Sequence, residues 1–120
     1  MQIRAAQMEK LQADRVAGFE PAAVIRLKQR YPEIQPGVDD AFLRAFVRAI
    51  VRKAIDYEIS DEKTLLEFLD CSFGAWLYVA GNDLASWLDA RMGNLIIPAA
   101  IRVDNLRFAI LEHFATEAAR

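Results

Sequence analysis

The stretch VDDAFLRAFVRAIVRKAIDYEI, residues 38–59, indicates the fold class of this chain of 120 residues. Its apolar residues recur every three to four positions, as at Phe42, Phe46 and Ile50, and further apolar side chains widen the stripe. This spacing predicts an amphipathic α-helix whose buried face is broad enough for a central place in a helical bundle. Asp39 is the predicted N-cap, because its carboxylate can accept a hydrogen bond from a free amide of the first turn.

Before this stretch, the sequence predicts two helices over about residues 4–17 and 20–31. Gly18 separates them, and Pro21 is tolerated in the first turn of the second helix. The alternative is one helix that is kinked at the proline. The second helix is expected to end before Pro32, because a residue that precedes proline is pushed away from helical angles.

After this stretch, Ser60 is the predicted cap of a helix that runs to Gly81. A short helix then ends near about residue 93, and a terminal helix begins near Pro98. The inward residues of the terminal helix are predicted to be Ile101, Leu106, Ile110 and Phe114, with Phe108 and Leu111 alongside. Because no segment alternates with a period of two, the prediction is an all-α fold: one domain over residues 1–120, an irregular bundle of five to six helices.

The aromatic stretch SFGAWLYVAGNDLASWLDAR, residues 72–91, contains both tryptophans. Its uncharged run, residues 71–82, is too short for a membrane span, which needs about 20 apolar residues. Trp76 and Trp87 are predicted to join two helices in the core, and the wall of a cofactor pocket is the alternative. Tyr78 points away from the apolar stripe, which makes it a candidate for contact with a protein partner.

Composition and charge narrow the classes of function. Apolar residues make up 54% of the chain and charged residues 27%, an ordinary globular balance. Residues 1–60 carry ten Lys/Arg against eight Asp/Glu (+2), and residues 61–120 carry five against nine (−4). This chain therefore lacks the dense basic face that nucleic-acid binding requires. With Cys71 as the only cysteine and no apolar signal-peptide stretch, a cytoplasmic location is expected.

The sequence contains few residues that could act in catalysis. His113 is the only histidine, and no zinc, calcium or phosphate-loop motif occurs, so neither a metal nor a cofactor is expected. A thiolate pair of Cys71 and His113 is the one enzymatic alternative. The other interpretation, a buried structural cysteine, is typical of free cysteines. We therefore expect a protein that is not an enzyme and has no catalytic residues.

Arg44, Arg48 and Arg52 recur every four residues and form a ridge along the central helix. One interpretation is a solvent-exposed face with ion pairs at its two ends, since Asp40 precedes Arg44 by four residues and Asp56 follows Arg52 by four. The other is a basic ridge that binds an acidic protein partner. Together with Tyr78, these arginines are the candidate partner-binding residues.

Three segments resemble a family of small all-helical proteins encoded beside bacterial type VI secretion spike and effector genes. They are IRAAQMEKL (residues 3–11), LKQRYPE (27–33) and LRAFVRAIVRKAIDYEISDEKTLLEFLD (43–70). The similarity covers about the first 70 residues, and the tail departs from it. The resemblance implies a bacterial accessory protein that acts as an adaptor or co-chaperone of an effector or spike component. Its alternative implication is an immunity protein that neutralises a toxin. Its partner is then another protein, neither nucleic acid nor membrane, and homodimerisation is a further use of an exposed aromatic flank.

Overall fold

The computed structural model describes residues 18–32 and 38–119, which contain helices and turns and no strand. The all-α prediction is therefore confirmed. Four α-helices have both ends within these ranges: α1 (Asp40–Asp56), α2 (Glu62–Ala75), α3 (Leu84–Met92) and α4 (Ala99–Ala118). That number is below the five to six predicted. The helix predicted over residues 4–17 lies outside the described residues.

Residues 18–30 are also helical. This stretch ends before Pro32, as the proline predicts. Gly18 is itself helical, and the residues before it lie outside the described part of the chain, so the break expected there stays a prediction.

Two helices begin at aspartate caps. The carboxylate of Asp39 accepts the amide of Phe42 at 2.9 Å, which confirms the predicted cap of α1. At α2 the cap is Asp61, which accepts the amide and the hydroxyl of Thr64 at 2.9 and 2.8 Å, so the prediction of Ser60 is wrong by one residue. These bonds, the amide first, hold the pKa of Asp61 below its ordinary value. Such a cap stabilises a helix by about 1 kcal/mol.

The end of α1 is a Schellman motif built without glycine. The amide of Ile59 donates to the carbonyl of Ala54, and the amide of Glu58 donates to that of Ile55, both at 3.0 Å. Glu58 lies at the position that glycine usually occupies, with a φ of 59°. Ala54 and Ile59 are both buried, which supplies the apolar contact that accompanies this motif.

The chain between α2 and α3 passes through a π-helical turn, Trp76–Ala80, and a 3-10 turn, Gly81–Asp83. Gly81 has a φ of 53° and a ψ of −128°, a conformation that is strained for any residue with a Cβ atom. The α-helix itself ends at Ala75, six residues before the predicted end, and the helical turns that follow it change from π-helical to 3-10 at Gly81.

The two tryptophans are only half-buried, so they do not form the centre of the hydrophobic core. The ring of Trp76 lies 5.7 Å from that of Phe73, which is fully buried. Trp87 lies under the guanidinium of Arg91, 4.2 Å from the ring centroid. In α3 the fully buried side chains are Leu88, the residue next to Trp87, and Met92.

The chain divides into two compact units, one ending at Val51 and the other beginning at Arg52, so the boundary lies within α1. The single domain over residues 1–120 stays a prediction. Fully buried apolar residues of the first unit include Ala23, Leu27, Leu43 and Val47. In the second unit α2 packs mainly against α4, and the fully buried residues there include Phe68, Leu69, Phe73, Leu88, Met92, Val103 and Leu106. Each such leucine or phenylalanine contributes about 1.5–3 kcal/mol of apolar transfer free energy.

Helix α4 is rotated relative to the prediction. Leu106 is buried as predicted, but its buried neighbours are Val103 and Arg102. Ile101 and Phe114, both predicted to point inward, are exposed. No helix in the described part combines the length and the apolar character that crossing a bilayer requires.

The rotation of α4 has a cause in the hydrogen bonds of Arg102, which is only 2% exposed. Its guanidinium donates to the carbonyls of Ile97, Met92 and Tyr57 at 2.8, 2.6 and 2.8 Å. Met92 ends α3 and Tyr57 follows α1, so two of these carbonyls lie where helices leave acceptors unpaired. The negative ends of the two helix dipoles further favour a cation there. Turning Arg102 inward turns Ile101 toward solvent.

Candidate protein-binding surface

Arg48, the middle residue of the predicted basic ridge, has an acidic partner. Its guanidinium donates from Nε and Nη2 to the two carboxylate oxygens of Glu20, at 2.8 and 3.0 Å. These hydrogen bonds raise the pKa of Arg48. The sequence offers no acid four residues from Arg48, and Glu20 lies 28 residues away, beyond the reach of helical spacing. Arg48 thus joins the helical residues 18–30 to α1 within one unit through an ion pair whose guanidinium is exposed, and its partner-binding role stays a prediction.

Arg44 and Arg52 are exposed on α1. Neither has an ion pair in the described part of the chain, so the predicted pairs with Asp40 and Asp56 do not form. Asp40 instead pairs with Lys28. The hydrogen bond from Lys28 lowers the pKa of Asp40, and the charge of Arg44 acts in the same direction. All three arginines of the ridge are therefore exposed, and the middle one, Arg48, is paired with Glu20.

Tyr78, the fourth predicted partner-binding residue, lies in the π-helical turn and is 50% exposed. Its ring centroid is 5.5 Å from that of Phe114 on α4. The ring of His113 lies 6.0 Å from that of Phe114. The structure therefore places Tyr78 beside a second exposed aromatic ring, a juxtaposition that the sequence did not predict.

Three large exposed apolar side chains of α4 lie on the side away from its buried residues, whereas Phe114 follows the line of Val103, eleven residues earlier, and is exposed near the end of the helix. We call Ile101, Phe108 and Leu111 the outer face of α4. Phe108 is 65% exposed and Leu111 56%. No α4 residue after Leu106 is buried. The sequence carried a signal for this surface, because α4 has apolar residues on two sides, and only one side can face a core.

Charged side chains lie beside the outer face. Arg107 pairs with Glu67 of α2 at 3.7 Å and with Asp104 at 3.3 Å. Asp104 is exposed one turn after Ile101, and Glu112 is exposed one turn after Phe108. Three carboxylates against one guanidinium give these four groups a net charge of −2.

The described residues give no support to thiolate chemistry. Cys71 is buried, and burial raises the pKa of its thiol to about 11. A nucleophilic cysteine needs the opposite shift. His113 is half-buried next to Phe114, and no acidic partner of its ring is seen among the described residues. Within those residues no group of three or more His, Cys, Asp or Glu could hold a metal ion.

No known protein family, characterised protein or solved structure matches this chain. The resemblance to type VI secretion accessory proteins therefore stays a prediction from the sequence.

Proposed function

We propose that this chain is a non-enzymatic protein-binding accessory protein, adaptor- or co-chaperone-like, and that it binds its partner through the outer face of α4 and Tyr78. The observation that carries the proposal is the exposure of Phe108 and Leu111 on a helix whose second half buries no residue. Clustered exposed apolar side chains are typical of protein interaction sites.

The second half of α4 is only partly covered by its own unit, with Ala109, Ile110 and His113 half-buried. Three turns of helix are marginal in water without packing, since most helix stability in proteins comes from burial of an apolar face. A partner that covers Phe108, Leu111 and Phe114 would supply that burial. Tyr78 and Phe114 provide adjacent aromatic rings, and aromatic residues are enriched among the residues that dominate binding energy.

The partner that we propose is an effector or spike component of a bacterial type VI secretion system, on the strength of the sequence resemblance. An adaptor needs an apolar surface that accepts a segment of its client, which the outer face of α4 provides. The second candidate is an immunity protein. The carboxylates of Asp104 and Glu112 beside exposed aromatic rings favour it, because an acidic and aromatic surface can block the basic site of a toxin.

Co-expression with the neighbouring effector gene tests the proposal. The double variant Phe108→Ser/Leu111→Ser removes two exposed side chains and should reduce partner binding at least about 10-fold. Ile25→Ser is the matched control, because Ile25 is 57% exposed on the other unit. The adaptor role predicts that the wild type and the control, but not the double variant, raise effector abundance or secretion.

Growth rescue separates the two candidates. If the wild-type chain protects cells that make the toxin in their cytoplasm and the double variant does not, the immunity role is supported. If the double variant works as well as the wild type in both assays, the outer face of α4 is not the binding surface and the proposal is wrong.

A further inference from the structure

We infer that the occupant of the outer face of α4 is an amphipathic helix of another protein whose apolar stripe is flanked by lysine or arginine. This inference rests on the proposed function, because it names the chemistry of the partner that the same face binds.

The spacing of the apolar residues suits a helix. Ile101, Phe108 and Leu111 are separated by seven and three residues, so they lie along one line of α4. Two turns separate Ile101 from Phe108, a rise of about 10 Å. A partner helix with apolar residues at the same intervals can place them between these side chains, as helices pack when ridges enter grooves.

The charges of the face favour a basic partner. Asp104 is one turn from both Ile101 and Phe108 and its side chain is 53% exposed, so an occupant that contacts both apolar residues also approaches this carboxylate. The one nearby cation, Arg107, is already shared between Asp104 and Glu67. Removing Asp104 and Glu112 from water without further compensation is costly. A lysine or arginine on each flank of the partner supplies that compensation.

A second copy of this chain is the weaker occupant for the same reason. It would bring three carboxylates and one guanidinium, a net charge of −2, against an identical set. Like charges across an interface oppose association. A basic helix pairs opposite charges and leaves the apolar contacts unchanged.

Two synthetic peptides test the inference with the full chain. Both are about 18 residues long and have leucine at heptad a and d positions. One carries lysine on both flanks and the other carries glutamate. We expect fluorescence anisotropy at low salt to show the lysine peptide binding at least about 10-fold more tightly than the glutamate peptide, and the difference to shrink as salt is added.

Variants of the chain assign the binding to this face. Glu112→Lys should weaken the lysine peptide and strengthen the glutamate peptide, whereas the matched charge reversal Asp56→Lys at the end of α1 should change neither by more than about 2-fold. Phe108→Ser/Leu111→Ser should weaken the lysine peptide at least about 10-fold. Circular dichroism checks that each variant is folded.

Three outcomes overturn the inference. They are equal affinity for the two peptides, no binding of either, and a dimer of the chain in sedimentation that Phe108→Ser/Leu111→Ser dissociates. The proposed function fails separately, when the double variant keeps its activity in cells. If that activity is lost while the peptides are not distinguished, protein binding by the face stands and the basic helix is wrong.

Discussion

Arg102 is a buried cation whose three hydrogen-bond acceptors are all main-chain carbonyls. It joins the end of α1, the end of α3 and the turn before α4 through the carbonyls of Tyr57, Met92 and Ile97. A side chain without donors would leave these acceptors unpaired in a buried place, where each costs about 1–3 kcal/mol. The residue is thus a structural centre of its unit, and one of a type that is seldom fully buried.

Replacing Arg102 by methionine should lower the free energy of unfolding by about 3 kcal/mol or more, because three carbonyls lose their donor. Arg102→Lys should lose less, since it keeps the charge but not the planar group that reaches three acceptors. Urea denaturation measures both. Arg44→Met is the control, with an expected change within about 0.5 kcal/mol, because Arg44 is exposed. A loss below about 1 kcal/mol for Arg102→Met would contradict this account.

At the scale of the element, the ends of α1 and α2 illustrate how local rules operate. Asp39 and Asp61 cap their helices through carboxylate oxygens, and both are acids next to the positive end of a helix dipole. The end of α1 breaks the usual composition. Its left-handed residue is Glu58, where glycine would avoid the steric cost of a Cβ atom.

Glu58→Gly should therefore raise the free energy of unfolding by about 0.5–1 kcal/mol, since the relief of backbone strain exceeds the added freedom of the unfolded chain. The same substitution at Glu62, which lies in the helical first turn of α2, should lower it by a similar amount. Chemical denaturation of the two variants checks the opposite signs. A destabilised Glu58→Gly variant would show that the Glu58 side chain matters more than its backbone angle.

Across the molecule, each of the two units contains a carboxylate whose ionised form is stabilised by a neighbouring group. Lys28 lowers the pKa of Asp40 in the first unit. In the second, the hydroxyl of Tyr57 lowers the pKa of Asp89 most, followed by Lys53, whose Nζ lies 3.1 Å from the carboxylate. Burial and then Asp89 raise the pKa of Tyr57.

These shifts predict loss of stability in acid. A folded-state pKa below the ordinary value of 3.8 stabilises the fold above that pH, and the contribution is lost as the pH falls through the lower, folded-state pKa. Asp89→Asn should thus be less stable than the wild type near neutral pH, and the difference should shrink below pH 3.8. Denaturation at a series of pH values measures the difference. A constant difference down to the acid end would exclude ionisation of Asp89 as its source.

Several features can be predicted from residues that are neighbours in the sequence. Helical spacing identified α1, Asp39 identified its start, and Gly81 lies in the turns that separate α2 from α3. These signals act within one or two turns, where the backbone geometry is fixed by the residues themselves. The cap of α2 was predicted at Ser60 and lies at Asp61. This error is also local, because serine and aspartate side chains can both accept hydrogen bonds from the first free amides of a helix.

The buried side of α4 and the arrangement of the candidate surface depend on contacts between residues that lie far apart in the chain. Apolar residues on two sides of α4 made its orientation ambiguous in the sequence, and Arg102 resolves it through Tyr57, 45 residues away. The pairing of Tyr78 with Phe114 and of Arg48 with Glu20 likewise joins residues far apart in the chain. Such contacts form between residues that are close in space, so they depend on how whole helices pack. Helical spacing in the sequence gives information only about residues within the same helix.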